Sequence, residues 1–344
     1  MFVHQSSCIS PQHTFGQVDL ESYVNPVQNI LRVIEPKYEG IPLNILRRMG
    51  KAVRMGVGTS LPILNSSKAI DGIIIGSGNG GMEDCIKFLN QIMEYEEGRL
   101  TPTNFVQSTP NAIAAQIGLS SANTGYNITH VHRGLAFENA LLDAMMMLNE
   151  NPNANYLTGA VDEVSSYNYN LERLDGWYKK EIVTGKDLYH LRSAGSIAGE
   201  GAAMFIVNNS KEGSAFEVKG VYMLHTADPE EVAARLKHFI GEHGNPDALL
   251  SGENGDIRLQ PFYDACESIL GEETIRLRFK HFTGEHPTSN AIGFWLAGKF
   301  LETQKIPSHF INGTHAEKKI ETMLIYNSSK GEQHSFIFLS NEPV

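Results

Sequence analysis

Cysteine is the first shortage. The chain has three in 344 residues, Cys8, Cys85 and Cys266, odd in number and widely spaced. Such a set builds neither a disulfide framework nor a metal-ligating cluster, and it suits a reducing compartment. Clustered positive charge is also missing. Lys and Arg total 28 against 39 Asp and Glu, a formal net charge of -11; without a concentrated basic face, nucleic acid is excluded as a partner. No apolar run approaches the roughly 20 residues a spanning helix needs, and the opening MFVHQSSCISPQ lacks a signal-peptide pattern. These absences read as a cytoplasmic globular protein with no membrane span and no metal. With 41% hydrophobic residues, it can bury two domains or one large two-part domain.

What is present is organised around Tyr126 to Glu150. Phe137, Leu141, Ala144 and Leu148 recur at helical spacing, and Ala136, Ala140, Met145, Met146 and Met147 spread apolar surface around the rest, which predicts a helix buried on nearly all sides. Asn127, Ile128, Thr129 and Val131 favour a strand leading in, and Gly134 permits a sharp turn. A strand entering a buried helix through a tight bend is a frame that often presents a nucleophile. Here the bend carries His130, Val131, His132 and Arg133, none of them a usual acyl-transfer nucleophile.

Upstream, a helix is expected from Pro42 through Met55. A strand over Asp71 to Ile75 is followed by GSGNGG and a helix from Met82 to Tyr95. Gly76, Gly78 and Gly81 imitate a dinucleotide fingerprint, but no second nucleotide-binding half follows, so the glycines read as a structural turn and no cofactor is expected. Small residues in the helix from Asn111 onward suit a close seam. NNSKEGS, residues 208–214, is the best internal boundary, dividing the chain into halves 1–210 and 211–344. The second half repeats the pattern: a strand from Leu277 to Phe282, the turn Thr283-Gly284-Glu285, then a helix carrying Ile292, Trp295, Leu296 and Phe300. Two such units imply pseudo-duplication in an α/β layered architecture, with functional groups at the strand ends where the halves meet.

The order of segments resembles the β-ketoacyl-acyl-carrier-protein synthases of the thiolase fold. The stretches that carry it are IIIGSGNGG, TPTNFVQSTPNAIAAQIG, the bend at Val131, LTGAVDE, GEGAAMFIV, SGENGD, KHFTGEH and the late NSS. The resemblance implies a five-layered α-β-α-β-α core made of two pseudo-repeated halves. It also implies a site of one Cys and two His that condenses an acyl-cysteine with a malonyl group on acyl carrier protein. Matching motif to motif, the cysteine position falls on Val131, or within a residue of it on His130 or His132; the histidine positions fall on Asn254 and Glu285, and Lys280 is retained. The glycine-rich loop that supplies an oxyanion donor is replaced by the shorter, charged Asn327 to Gln333. Losing one such donor alone costs on the order of 100-fold in rate.

The family includes non-condensing chain-length factors, which lack the cysteine and pair with a catalytic synthase. The pattern fits that kind of member: a partner subunit, in a heterodimer or a homodimer, working with an acyl carrier protein in fatty-acid or polyketide and aryl-polyene-type biosynthesis. Asn111, Ala112 and Ala115 would then lie near the dimer seam and tunnel, and the Val131 strand would pair across the two-fold axis. The alternative is an active acyltransferase with a rebuilt acid-base site drawn from His130, His132, Arg133, Glu253, Asn254, Glu285 and His286. Plainer roles compete with both: a hydrogen-bonded structural histidine at 130 or 132, Arg133 holding a neighbour's carboxylate, Glu285 facing a helix dipole, and Cys85 and Cys266 as buried apolar residues on helices.

Overall fold

The computed structural model describes residues 1–67, 69–95, 98, 100–313 and 318–341. Runs rich in β-branched and aromatic residues form strands β1 Phe2–Ile9, β2 Gly72–Gly76, β3 Tyr126–His130, β4 Tyr156–Asp162, β5 Gly201–Asn208, β6 Phe216–His225, β7 Ala248–Ser251, β8 Ile275–Arg278, β9 Thr322–Ser329 and β10 Gln333–Ser340. The longer helices are α1 Lys51–Ser66, α2 Met82–Tyr95, α3 Ala112–Ser121, α4 Ala136–Glu150, α5 Ser166–Leu174, α6 Pro229–His243, α7 Gln260–Glu267 and α8 Ser289–Thr303.

The strands lie in the order β3-β2-β4-β5-β1-β6-β10-β9-β7-β8. Within β1 to β5 the neighbours β3/β2 and β2/β4 are parallel, and β4/β5 and β5/β1 are antiparallel. Read from its outer edge inward, β8-β7-β9-β10-β6 repeats both the order and the senses. The duplication expected from sequence is therefore present in the topology. The two five-stranded units are welded by the pairs Phe2↔Glu217 and Val3↔Phe216.

Side-chain alternation along each strand feeds two layers at once. Ile73 and Ile75 join α1 and α3 in one outer cluster, whereas Ile74 joins α4 and α8 between the sheets. Leu249, Leu324 and Phe336 pack with α6 and α7 in the other outer cluster. The result is the α-β-α-β-α layering. In its middle, Phe294 of α8 makes edge-on contacts with Phe137 of α4 at 5.4 Å, Phe205 of β5 at 4.8 Å and Phe216 of β6 at 5.4 Å.

Three local expectations are corrected. The strand expected over Leu277 to Phe282 ends at Arg278, and Lys280 to Thr283 form a helical turn that buries the lysine. The helix expected from Pro42 to Met55 is broken: Leu43 to Leu46 make one turn, and α1 starts only after Gly50. Gly50 lies so close to Asp84 that a Cβ would overlap its carboxylate. Finally, α4 is not apolar and buried all round. Glu138 is fully enclosed, while Met146 is 55% exposed because α4 flanks β3, the last strand in the sheet order.

Truncating Phe294→Ala should cost about 3–5 kcal/mol, read from urea unfolding, because one ring serves both sheets and both central helices; Phe294→Leu should cost less than half of that.

Candidate functional site

β3 ends at His130, and the chain turns through Val131 and His132 into a short 3-10 turn before α4. Arg133 takes a left-handed backbone, φ 49°, a conformation that a non-glycine residue holds only under constraint. The constraint is the β9–β10 hairpin. Lys330 and Gly331 are both left-handed (φ 57° and 70°), and Glu332 N–H donates to Ser329 O at 3.2 Å, so the tip is tight. It presses Ser329 onto Gly134 so closely that any Cβ there would overlap it. Gly134 N–H donates to Gln333 Oε1 at 3.0 Å, and the Gln333 amide donates in turn to His225 Nε2 at 3.0 Å. That bond fixes His225 as its Nδ1–H tautomer.

Beside this bend lies a cavity of about 340 Å³, bounded by the hairpin, the Glu285–Pro287 turn and the segment around α5. Gly134 of the bend and Ser329, Lys330, Glu332 and Gln333 of the shortened loop line it, and of the candidate site side chains Arg133, Asn254, Glu285 and His286 do. The others do not. Val131 stands on the surface, 55% exposed. His130 binds Asp143 at 2.7 Å, and Tyr126 shares that carboxylate. His132 is exposed, its ring 5.9 Å from that of His225. Glu253 is buried and paired with Arg278 at 2.7 Å, and burial pushes its carboxyl up to about 7. Arg133, expected to hold a neighbouring carboxylate, is exposed and makes no ion pair among the described residues. Asn111 accepts from Thr129 at 3.2 Å, and Asn111 and Ala115 are exposed while Ala112 is half-buried, beside the edge strand.

Beneath the cavity, Lys280 is fully buried and donates to both Glu285 oxygens, at 2.9 and 3.0 Å, and to Ser289 Oγ at 2.5 Å. Asn254 Nδ2 donates to the same carboxylate at 2.9 Å. The turn is anchored on the lead-in to β5: Glu285 N–H donates to Ile197 O at 2.7 Å, and Gly199 N–H to Glu285 O at 3.0 Å. The two positions matched to histidines thus bind each other, and the Glu285 carboxylate also holds the buried Lys280 ammonium. Burial and the nearby Lys280 charge hold His286 neutral, its pKa lowered to about 3, and neither ring nitrogen has a partner among the described residues. Burial, with Asp84 nearby, pushes Glu163 in the cavity wall up to about 7.

The rim is aromatic. Trp177 lies between the Arg258 guanidinium at 4.1 Å and the Lys330 ammonium at 4.9 Å, Tyr169 stacks on Tyr178 at 5.1 Å, and Lys330 pairs with Glu172 at 2.6 Å. No cysteine lines the cavity; Cys8 and Cys266 are buried, with thiols pushed up to about 12. Among the described residues no group of three His, Cys, Asp or Glu is placed to hold a metal, and no helix is long and apolar enough to cross a membrane. The GSGNGG turn spends its amides internally. Gly78 and Asn79 N–H donate to the buried Asp162 carboxylate at 3.0 and 2.6 Å, joined by the hydroxyls of Ser77 and Thr288. Asp162 and Glu138 carried no signal of their roles in the sequence, and Gln333 entered only as the last residue of the loop 327–333. Gln333 has no local motif, and its partner Gly134 lies 199 residues away.

Residues 28–173 match the family model for the beta-ketoacyl synthase, N-terminal domain. No curated protein matches the sequence. The whole fold is similar to solved ketosynthase structures. A beta-ketoacyl synthase from Burkholderia phymatum STM815 superposes with a TM-score of 0.77 at 14% identity, covering 99% of each chain. The ishigamide ketosynthase/chain length factor gives 0.76 at 14%, again over 99% of each. The ketosynthase ApeO in complex with its chain length factor ApeC, from Xenorhabdus doucetiae, gives 0.77 at 12%, over 99% of this chain and 98% of that one. The fold is that of the thiolase-type ketosynthases.

Replacing Glu285→Ala strands the Lys280 ammonium and should cost about 3 kcal/mol in urea unfolding; adding Lys280→Met should recover most of it. Glu163 titrates higher folded than unfolded, so its burial costs nothing below pH 4.5 and the full amount above about 7. The stability of the wild type relative to Glu163→Gln should therefore fall as pH rises across that window and then level off.

Proposed function

From a chain that is ketosynthase-like in sequence over residues 28–173 and in fold throughout, we propose a chain-length-factor-type subunit. It works with a catalytic β-ketoacyl synthase and an acyl carrier protein in the cytoplasm, on polyketide or aryl-polyene-type products or on fatty acids. The observation that supports the reading is the Asn254–Glu285–Lys280 network, at the two positions that motif matching gives to histidines, while the matched cysteine position falls on Val131 or on His130 or His132 beside it. An acyl thioester has no sulfur to form on there, and the carboxylate at 285 would oppose the enolate-like charge of a condensation.

The partner face in this reading is the β3 edge. β3 is hydrogen-bonded on one side only, to β2, and Leu119, Val131 and Met146 are exposed along that edge. A bare edge strand with apolar neighbours favours pairing with another chain. Asn111, Ala112 and Ala115 would lie near this seam between chains and the tunnel, and within the chain the two halves would divide near residue 210.

The second reading, an acyltransferase with a rebuilt acid-base site, has one observation in its favour: a buried, unpartnered His286 shares a cavity with Glu163.

Combining the chain with its candidate synthase and carrier protein should yield a heterodimer and shift the length of the product. An unchanged product spectrum with no complex on size exclusion rejects the partner role. Val131→Cys should not restore condensation by this chain alone, and measurable turnover of acyl-CoA by the unmodified chain would favour the second reading instead.

A further inference from the structure

Hydrogen-bonding groups cluster on one wall of the cavity. A buried backbone N–H must find an acceptor, and Gly134 N–H finds one only in the Gln333 side chain. Next to it, Arg133 lines the cavity with a left-handed backbone, and its exposed side chain has no hydrogen bond or ion pair among the described residues. The Glu285–Pro287 turn stands close by, since a Cβ on Gly78 would meet both Pro287 and Arg133 O. That turn carries His286, 6% exposed, with both nitrogens unpartnered. A backbone N–H, a guanidinium fork and an imidazole N–H around one space match the acceptors of an organic acid.

We propose that the cavity is a binding site for a small carboxylate, and that Gln333 is a built-in competitor for it. The bound carboxylate places one oxygen on Gly134 N–H, displacing Gln333 Oε1, and the other on the Arg133 fork. The acidic wall does not forbid this. Glu285 is neutralised by Lys280 and Glu172 by Lys330, burial keeps Glu163 partly protonated at neutral pH, and Glu332 lies at the exposed rim. The displaced Gln333 amide keeps His225 as a partner.

The site is independent of the partner-subunit reading, because it is tested on the full chain alone. Acetate is titrated into the chain and followed by calorimetry and by the backbone amide resonance of Gly134, with uncharged acetamide as the control of equal shape. Gln333→Ala should bind acetate about tenfold more tightly than the wild type, the worth of one competing hydrogen bond. Arg133→Gln in that background should lose at least that factor, and acetamide should bind more weakly than acetate throughout. Gln333→Glu, which supplies the carboxylate from within, should bind none. Equal acetate affinity in wild type and a folded Gln333→Ala, or indifference to Arg133→Gln, overturns the proposal. If Gln333→Ala unfolds, the wild type and Arg133→Gln decide it: identical responses of the Gly134 amide to acetate overturn it. Product length in the reconstituted pair reads the other hypothesis, so either can fail without the other.

Discussion

A lysine ammonium with no access to water lies where the two halves meet, and much of the site follows from it. Removing such a charge from water costs several kcal/mol unless opposite charge and hydrogen bonds surround it. Lys280 gets both from Glu285, with Ser289 completing its donors. Glu285 in turn is steadied by Asn254 and by two backbone bonds to residues 197 and 199. Charge balance in a buried place therefore fixes three side chains and joins the second-half turn to the first-half strand. A frame that resembles a condensing enzyme is held by an ion pair where imidazoles would be expected.

The second element is steric. The short hairpin tip drops onto the bend at Gly134 and delivers the Gln333 carbonyl to its N–H. The cavity nevertheless survives beside it, walled by an aromatic rim and a neutral imidazole. Although the bend beside it carries no cysteine, the space is not collapsed. Filling it with apolar side chains would have been the cheaper packing solution.

How much of this was legible in the sequence differs from level to level. The duplication was, because each half spells strand, glycine turn and apolar helix in the same order, and the topology repeats strand for strand. So was the structural reading of GSGNGG, although its physical cause, the buried Asp162, could only be seen in three dimensions. The single helix expected from Pro42 to Met55 failed because tertiary crowding at Gly50 outweighed local periodicity. The run Met145 to Met147 reads as core on composition, yet Met146 is exposed because α4 sits beside the last strand of the sheet. Helix α6 had a visible start in Asp228-Pro229-Glu230-Glu231, with Asp228 accepting from Glu230 N–H at 3.0 Å, and it was passed over. Pairings such as Gly134 with Gln333 leave no local trace, since neither residue changes the periodicity around it.

The central helix also bears on how the protein is made. Glu138 of α4 is fully enclosed, and its carboxyl accepts from Asn290 and Ser335, both at 2.7 Å. The second of these is 197 residues further along the chain. At about 5–20 residues per second of translation, the first half waits roughly ten seconds or more on the ribosome with that carboxyl and the neighbouring Phe137 uncovered. A nascent chain with such an open inner face is a client for chaperones, and the order of synthesis makes the second half the lid on the first.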